Sequence, residues 1–318
     1  MKKVSSVSPI VSVVLPVYNG SRYLRAAVDS ILRQSFTAFE LIIVDDGSTD
    51  RTPAILAACS RRDARIHVLR QTNQGIVAAL NRGIEQARAP YIARMDADDI
   101  SAPERLQEQV SFLDAHREIN ACGTSIWVMD HSGHVVDRMN RPLTAEQIER
   151  DLMKGDGGAI IHPTLMVRRT ALERVGCYRK FAEFTEDLDL YLRLSFDGPL
   201  ANLPEPLLRY RVHFQSTNFT KLGQKARVKE AVMRAACLQR SVPFQSSMVD
   251  LRYMSKPPLS FHREWAESAS RLGHRFAAIK HGLIGAWHAP ADRQSYALLK
   301  LVLRRTLASF PSASASTS

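Results

Sequence analysis

"FELIIVDDGSTDRTPAILAACSRR", residues 39–62, decides the fold. Phe39 to Val44 form an apolar run broken only by Glu40, short enough for a strand buried on both faces. Asp45-Asp46-Gly47-Ser48 then ends the strand in a turn. Thr52 stands where a helix cap belongs and Pro53 suits the first helical position. Arg61 and Arg62 suit the helix C-terminus, where the dipole favours cations. The unit is strand, carboxylate turn, helix.

Working outward, the unit repeats in kind. "IVSVVLPV" (10–17) reads as a buried strand, and "SRYLRAAVDSILRQ" (21–34) places Leu24, Ala27, Val28, Ile31 and Leu32 at helical spacing, with Ser21 as cap. "RIHVLRQ" (65–71), "GIVAALNRGIEQAR" (75–88) and "PYIARMD" (90–96) continue as strand, helix and strand. Such alternation predicts an α/β fold, a mostly parallel sheet flanked by helices. In an open α/β sheet, ligands bind outside the carboxyl ends of the strands. "PVYNG" (16–20), "VDDGSTD" (44–50) and "MDADD" (95–99) each follow a strand, so they should meet at one edge.

The middle of the chain is less regular. "INACGTSIWVMD" and "HVVDRMN" predict a hairpin around His131-Ser132-Gly133. A helix from Thr144 to about Met153, the glycine-rich "KGDGGA" and a strand in "IIHPTLMVRR" follow. "TEDLDLYLRLSF" is a helix with acids in its first turn, where the dipole accepts them. "LLRYRVHFQST" reads as the last strand, and the closing "SASASTS" as a disordered tail.

Composition bounds the function. A hydrophobic share of 45% and a charged share of 24% over 318 residues are ordinary for a globular chain. Cys59, Cys122, Cys177 and Cys237 lie far apart with no CxxC pair, against a zinc site or disulfide framework and consistent with a reducing, cytoplasmic compartment. "MKKVSSVSPIVSVVLPVYNG" carries Ser12 and Pro16 in its apolar run and ends in a turn, so we read a core strand there rather than a signal peptide. Residues 1–218 balance 27 basic against 27 acidic residues, whereas residues 219–318 hold 16 against 5, the whole net charge of +11. This places a boundary near residue 219: an alternating α/β domain over 8–218, a basic helical extension over 219–310 and a tail over 311–318. The extension should face something anionic.

Three carboxylates in one short loop, Asp96, Asp98 and Asp99, stay ionised together only around positive charge: Arg94, a neighbouring lysine or a divalent cation. Mg²⁺ or Mn²⁺ held by one or two of them keeps positions for phosphate oxygens and water. A carboxylate after the second strand is a natural acceptor for a nucleobase N–H or ribose hydroxyl. Tyr18, beside Asn19, offers a flat face or a hydroxyl to the same base. Arg70 and Asn73 to Gly75 border this edge and either contact phosphates or close a turn. No GxxxxGK[ST] or GxGxxG occurs, so a metal must carry much of a diphosphate's charge. The pattern suits a nucleoside diphosphate whose bond to another group is cut.

"VSVVLPVYNGSRYLRAAVDSILRQSF", "FELIIVDDGSTD", "NQGIVAALNRGI" and "YIARMDADD" closely resemble the family 2 glycosyltransferases, over about residues 8–215. The resemblance implies the GT-A nucleotide-sugar fold and inverting transfer of a sugar from a nucleotide donor, usually a UDP-sugar, with Mn²⁺ or Mg²⁺. It implies that Pro16 and Tyr18 contact the base, that Asp46 reads it, and that Asp96 and Asp98 form the DxD motif touching ribose and metal, extended by Asp99. "TEDLDLYLRL" looks like the family's ED motif, which makes Asp187 the catalytic base with Glu186 beside it. The plainer alternative is that both acids only decorate a helix N-terminus. "YRVHFQSTN" resembles the segment where His213 reaches the metal or diphosphate, and His162 is similar to a position near the acceptor.

Two other readings compete. A sugar-nucleotide pyrophosphorylase should carry a glycine-rich, arginine-containing loop after the first strand, and "LPVYNGSRYL" is a poor match. A non-catalytic basic binding module would use the tail, whose scattered aromatics form no RNA-binding motif, so no nucleic-acid partner is expected. "RFAAIKHGLIGAWHA" and "QSYALLKLVLRRTL" put Phe276, Ile279, Leu283, Trp287 and Tyr296, Leu299, Leu303, Leu307 on helical faces flanked by basic residues. Such helices either pack on the catalytic domain or lie on an anionic membrane surface. The second option places the enzyme at the inner face of the plasma membrane, with a glycan or lipid-linked acceptor.

Overall fold

The structure, a computed structural model, describes residues 8–212, 222–250, 258–288 and 293–308. Its first third alternates as the sequence predicts. Strand β1 (Val11–Val17) is followed by α1 (Leu24–Leu32), β2 (Phe39–Asp45) by α2 (Thr52–Arg62), β3 (Ile66–Arg70) by α3 (Ile76–Glu85), and then β4 (Tyr91–Arg94). These four strands are parallel, in the order β3-β2-β1-β4. Every residue of β1 and β2 is buried. Val13, Leu15, Leu41 and Ile43 enter one apolar layer while Val14, Ile42 and Val44 enter the other, so the period of two feeds both faces.

The second half of the sheet is mixed. After β5 (Ile100–Ser101), α4 (Arg105–Ala115), β6 (Ala121–Met129), β7 (Val135–Met139), α5 (Ala145–Met153), β8 (Met166–Arg168), α6 (Arg169–Arg174), α7 (Glu186–Asp197) and β9 (Leu200–Arg211), the strand order closes as β4-β8-β6-β9-β5. β8 is antiparallel to both β4 and β6, β9 runs parallel to β6, and β7 forms the expected hairpin with β6. Thr144 caps α5 through a reciprocal capping box with Gln147. Four further helices, α8 (Leu222–Gln239), α9 (Pro258–Arg271), α10 (Arg275–His288) and α11 (Arg293–Ala308), complete the described chain. Phe261, Trp265, Ala277, Ala278 and Val302 from the last three join the same apolar layer as β1.

Several local expectations are corrected. Neither Ser21 nor Thr52 caps its helix. Asp50 instead accepts from both backbone N–H groups, Ser21 through Oδ2 and Thr52 through Oδ1. A carboxylate placed between two turns serves both orphan donors. The last strand begins at Leu200 rather than Leu207, and "IIHPT" holds a short 3₁₀ turn over His162–Thr164, with a strand only at Met166. Helix α4 is an addition to the sequence reading. His213 and residues 311–318 lie outside the described residues.

Candidate active site

The turns after β1 and β2 are stitched together. Asn19 donates its N–H to Ser48 Oγ at 2.9 Å, and its Oδ1 accepts from the Thr49 N–H at 2.8 Å. Asn19 has φ 51°, the left-handed region that Asn tolerates better than most residues. Gly20 N–H reaches Thr52 Oγ1 at 3.0 Å. Pro16 is buried in β1 beside Val44, and Tyr18 emerges from the end of that strand 52% exposed. Asp46 is buried, and its oxygens accept from Gln71 Nε2 (2.7 Å), the Gln74 N–H (2.9 Å) and the Gly75 N–H (2.9 Å). Asp46 therefore shapes the loop after β3, and Gly75 takes φ 89°, where a side chain would be strained. Beside this loop opens a cleft of about 550 Å³ lined by Gly47, Arg70, Gln71, Thr72 and Asn73. Arg70 also stands 3.5 Å from Asp45.

The acidic loop leaves β4 at the same edge. Asp96, Asp98 and Asp99 each bring an oxygen within 4.8 Å of the others. Arg94, itself buried, pairs with Asp96. Burial, opposed by Arg94 and reinforced by the charges of Asp98 and Asp187, raises the Asp96 pKa. Burial and then Asp98 and Asp96 push Asp99 well above the usual carboxylate range. Asp99 Oδ1 accepts from the Arg211 N–H at 2.7 Å, while its Oδ2 is buried without a hydrogen-bond partner among the described residues. Three mutually repelling carboxylates with an orphaned buried oxygen are a donor set suited to a hard divalent cation.

Helix α7 delivers the other carboxylates. Its first turn carries Glu186, Asp187 and Asp189. Asp189 is consumed by Arg179 and Arg193. Glu186 is buried with Oε2 unpaired among the described residues, and burial followed by the neighbouring Asp187 raises its pKa to about 7. Asp187 is half-buried, and its charge reaches Asp96 across more than 90 positions of sequence. Gly157 passes so close that a Cβ there would lie 3.5 Å from Asp187 Oδ2.

One sequence-read residue, His162, lies in the interior. His162 is buried, 2.7 Å from the Tyr178 hydroxyl, and burial together with Arg94 lowers its pKa well below the usual range. It is thus a neutral interior group. Two residues absent from the sequence reading hold the acidic loop. Arg105, fully buried on α4, donates to the Arg94 carbonyl at 2.8 Å, and Arg211 at the end of β9 donates Nε to the Asp98 carbonyl at 2.7 Å. A basic residue aligned to a strand end is the only local signal for Arg211.

Comparison with known proteins bears on the fold and the family. Residues 12–176 match the family described as glycosyl transferase family 2. A Bacillus subtilis protein bearing the glycosyltransferase name EpsE is 33% identical over 78% of this chain and 88% of its own. An uncharacterised glycosyltransferase of Haemophilus influenzae is 32% identical over 66% of this chain and 68% of its own. Among solved structures, S. aureus TarS residues 1–349 in complex with UDP-GlcNAc aligns with TM-score 0.60 at 17% identity, covering 94% of this chain and 88% of that one. The mannosyltransferase PcManGT of Pyrobaculum calidifontis, in complex with GDP-Man and Mn²⁺, aligns with TM-score 0.54 at 17% identity, covering 95% and 81%. The fold is therefore GT-A, and the sequence matches carry the family: this chain is a glycosyltransferase and belongs to glycosyl transferase family 2.

Proposed function

We propose that the enzyme transfers a sugar, with inversion, from a nucleoside-diphosphate sugar of the UDP class to a hydroxyl acceptor, in the assembly of a cell-envelope glycan. One observation supports this reading: Asp187, from α7, is near enough to Asp96 in the loop after β4 for its charge to add to the rise in the Asp96 pKa. Arg70 and Asn73 line the cleft where the base and ribose would lie, Asp46 and Gly75 fix the loop beside it, Asn19 ties the turn after β1 to the turn after β2, and Tyr18 stands exposed at the end of β1. Asp96, Asp98 and Asp99 would hold Mn²⁺ or Mg²⁺, with His213 assigned to the same ion by family resemblance. The ion, when bound, supplies Lewis-acid neutralisation of the diphosphate leaving group.

Asp187 takes the proton from the acceptor hydroxyl as that oxygen attacks the anomeric carbon, and the nucleoside diphosphate departs on the opposite side. A single in-line displacement inverts the centre and requires no protein nucleophile. Glu186, buried next to Asp187 in the chain, has its own pKa raised to about 7 by burial and by the Asp187 charge. Asp187→Asn keeps size and polarity but accepts no proton. Transfer should fall by roughly 10²-fold or more, while UDP binding measured by calorimetry stays near wild type. A variant that turns over at the wild-type rate removes Asp187 from the role.

The acceptor side of the reading includes an anionic bilayer at the cytoplasmic face of the plasma membrane. Helix α10 packs inward through Ala277, Ala278, His281, Gly282, Gly285 and Ala286. Its bulky residues point away: Phe276 is 66%, Leu283 53% and Trp287 81% exposed. Tyr296, Leu301 and Leu303 of α11 are exposed as well. Among the described residues no helix is long and apolar enough to cross a membrane. A surface stripe of this kind, on the segment that carries the whole positive surplus, suits peripheral contact with anionic lipid.

A further inference from the structure

We infer that Lys280 and Arg211 are positioning residues for the metal loop, so that the C-terminal helices set the geometry of the Asp96–Asp99 carboxylates. The inference rests on the reading of that loop as the metal site. It starts from Asp130, which directly follows β6 and has its carboxylate fully buried. A buried carboxylate is strongly destabilising unless matched by donors. Oδ1 accepts from the Ser132 N–H at 2.8 Å and the His134 N–H at 3.0 Å, both within its own turn. Oδ2 accepts from Lys280 Nζ at 2.6 Å and His281 Nε2 at 3.1 Å, both on α10 and some 150 residues away in sequence. These donors hold the Asp130 pKa far below the usual carboxylate range against the opposing effect of burial. The β6–β7 turn is therefore completed by the C-terminal helices.

The same turn grips the site. Arg211 Nη1 donates to the carbonyls of Asp130 and His131, each at 3.2 Å. Its Nε donates to the Asp98 carbonyl at 2.7 Å, and its own N–H to Asp99 Oδ1 at 2.7 Å. The guanidinium lies 4.2 Å over the Tyr23 ring, and the Tyr23 hydroxyl donates to the His131 carbonyl at 2.9 Å. A planar guanidinium with donors in a fixed fork transmits position in a way a flexible lysine does not. Strand register makes the link stiff. Met129 pairs with Arg211 across β6 and β9, while Ile100, directly after the acidic loop, pairs with Arg209. From Lys280 the path runs through Asp130 and Arg211 to Asp98 and Asp99, each step a direct polar contact or one peptide. His281 is held in turn by His262 of α9, with the two Nδ1 atoms 2.8 Å apart. Nothing in the proposed transfer chemistry uses these groups.

The test uses the full chain. Lys280→Met removes the charge but keeps the stem, Lys280→Arg restores a donor, and Arg211→Lys breaks the fork. Ser268→Ala is the control, because Ser268 ties α9 to Asp137 on β7 away from this path. Two readouts are taken: amide hydrogen exchange of residues 98–101 in metal-free protein, and Mn²⁺-dependent UDP binding by calorimetry. Lys280→Met and Arg211→Lys should speed that exchange and weaken Mn²⁺-dependent binding by about 10-fold, the scale for losing support around a metal ligand. Lys280→Arg should recover both, and Ser268→Ala should match wild type. If Lys280→Met does not fold, Lys280→Gln, which retains one donor, carries the same comparison at smaller amplitude. Asp98→Ala separates the two readings. Wild-type Mn²⁺-dependent binding in Asp98→Ala overturns the metal assignment. Loss of binding there, with wild-type exchange and affinity in the Lys280 variants, overturns the positioning inference alone.

Discussion

Glu186 shows how one buried side chain can tie stability to pH. Its pKa rises from 4.5 to about 7, chiefly through burial and then through Asp187. Between those values the native protein keeps a proton that the unfolded chain has released. The associated stability is therefore fully present below about pH 4.5 and is lost as pH rises through about 7. At about 1.4 kcal/mol per unit the loss is of order 3 kcal/mol. Glu186→Gln, uncharged throughout, should lose this decline in the metal-free protein. Urea denaturation at pH 5 and pH 8 should show the variant gaining on wild type by about that amount at the higher pH. Equal pH dependence in the two proteins would show that Glu186 ionises as an exposed acid does. The carboxylate itself was legible in "TEDLDL", but its burial was not, because the covering groups come from other parts of the chain.

At the scale of elements, α10 divides its surface between small and large residues. The alanines and glycines allow close approach to α9 and α11, whereas Phe276, Leu283 and Trp287 form the outward stripe. The helical period was readable, yet the face that packs was not, since hydrophobicity alone would bury the larger side chains. Co-sedimentation with phosphatidylglycerol vesicles at low salt should capture the protein, and neutral vesicles should not. Each basic residue near the surface adds about 1 kcal/mol. Trp287→Ser and Phe276→Ser should each reduce capture several-fold without changing the melting temperature, because both are largely exposed. Unchanged capture in the double variant would refute the stripe as the contact.

Across the whole molecule, the C-terminal helices share an apolar layer with the sheet: Phe261 and Trp265 lie in one cluster with Val13, Leu15 and Leu41. The Lys280–Asp130 ion pair and the His281–Asp130 hydrogen bond reinforce that contact. Residues divided by a sharp charge boundary near position 219 are thus packed into one interior. We expect a single cooperative unfolding transition. Phe261→Ala, at a fully buried site, should cost about 3–5 kcal/mol and lower the midpoint seen by tryptophan fluorescence and by far-ultraviolet dichroism together. Separation of the two curves, with only the fluorescence shifted, would mean that the helices unfold on their own.

What the chain determines by itself is whatever repeats over a few neighbouring residues. The buried runs of β1 and β2, the turn chemistry of Asp45 to Gly47 and the amphipathic spacing of α1 and α3 are local, so they are readable and they imply the parallel half of the sheet. The acidic loop was readable for the same reason. Tertiary structure decided the rest. Ser21 and Thr52 do not cap their helices, and Asp50 instead accepts from both of their N–H groups because it reaches two turns at once. Asp46 became a loop holder because three donors from residues 71–75 surround it. His162 went inside with Tyr178, and Arg211 acquired its hold on Asp98 and Asp99, because β6, β8 and β9 fold back beside the parallel strands. Partners of this kind lie far apart in sequence and meet only when the sheet closes. A hydrogen bond or a charge contact acts over a few ångströms of space, and sequence order does not record that distance.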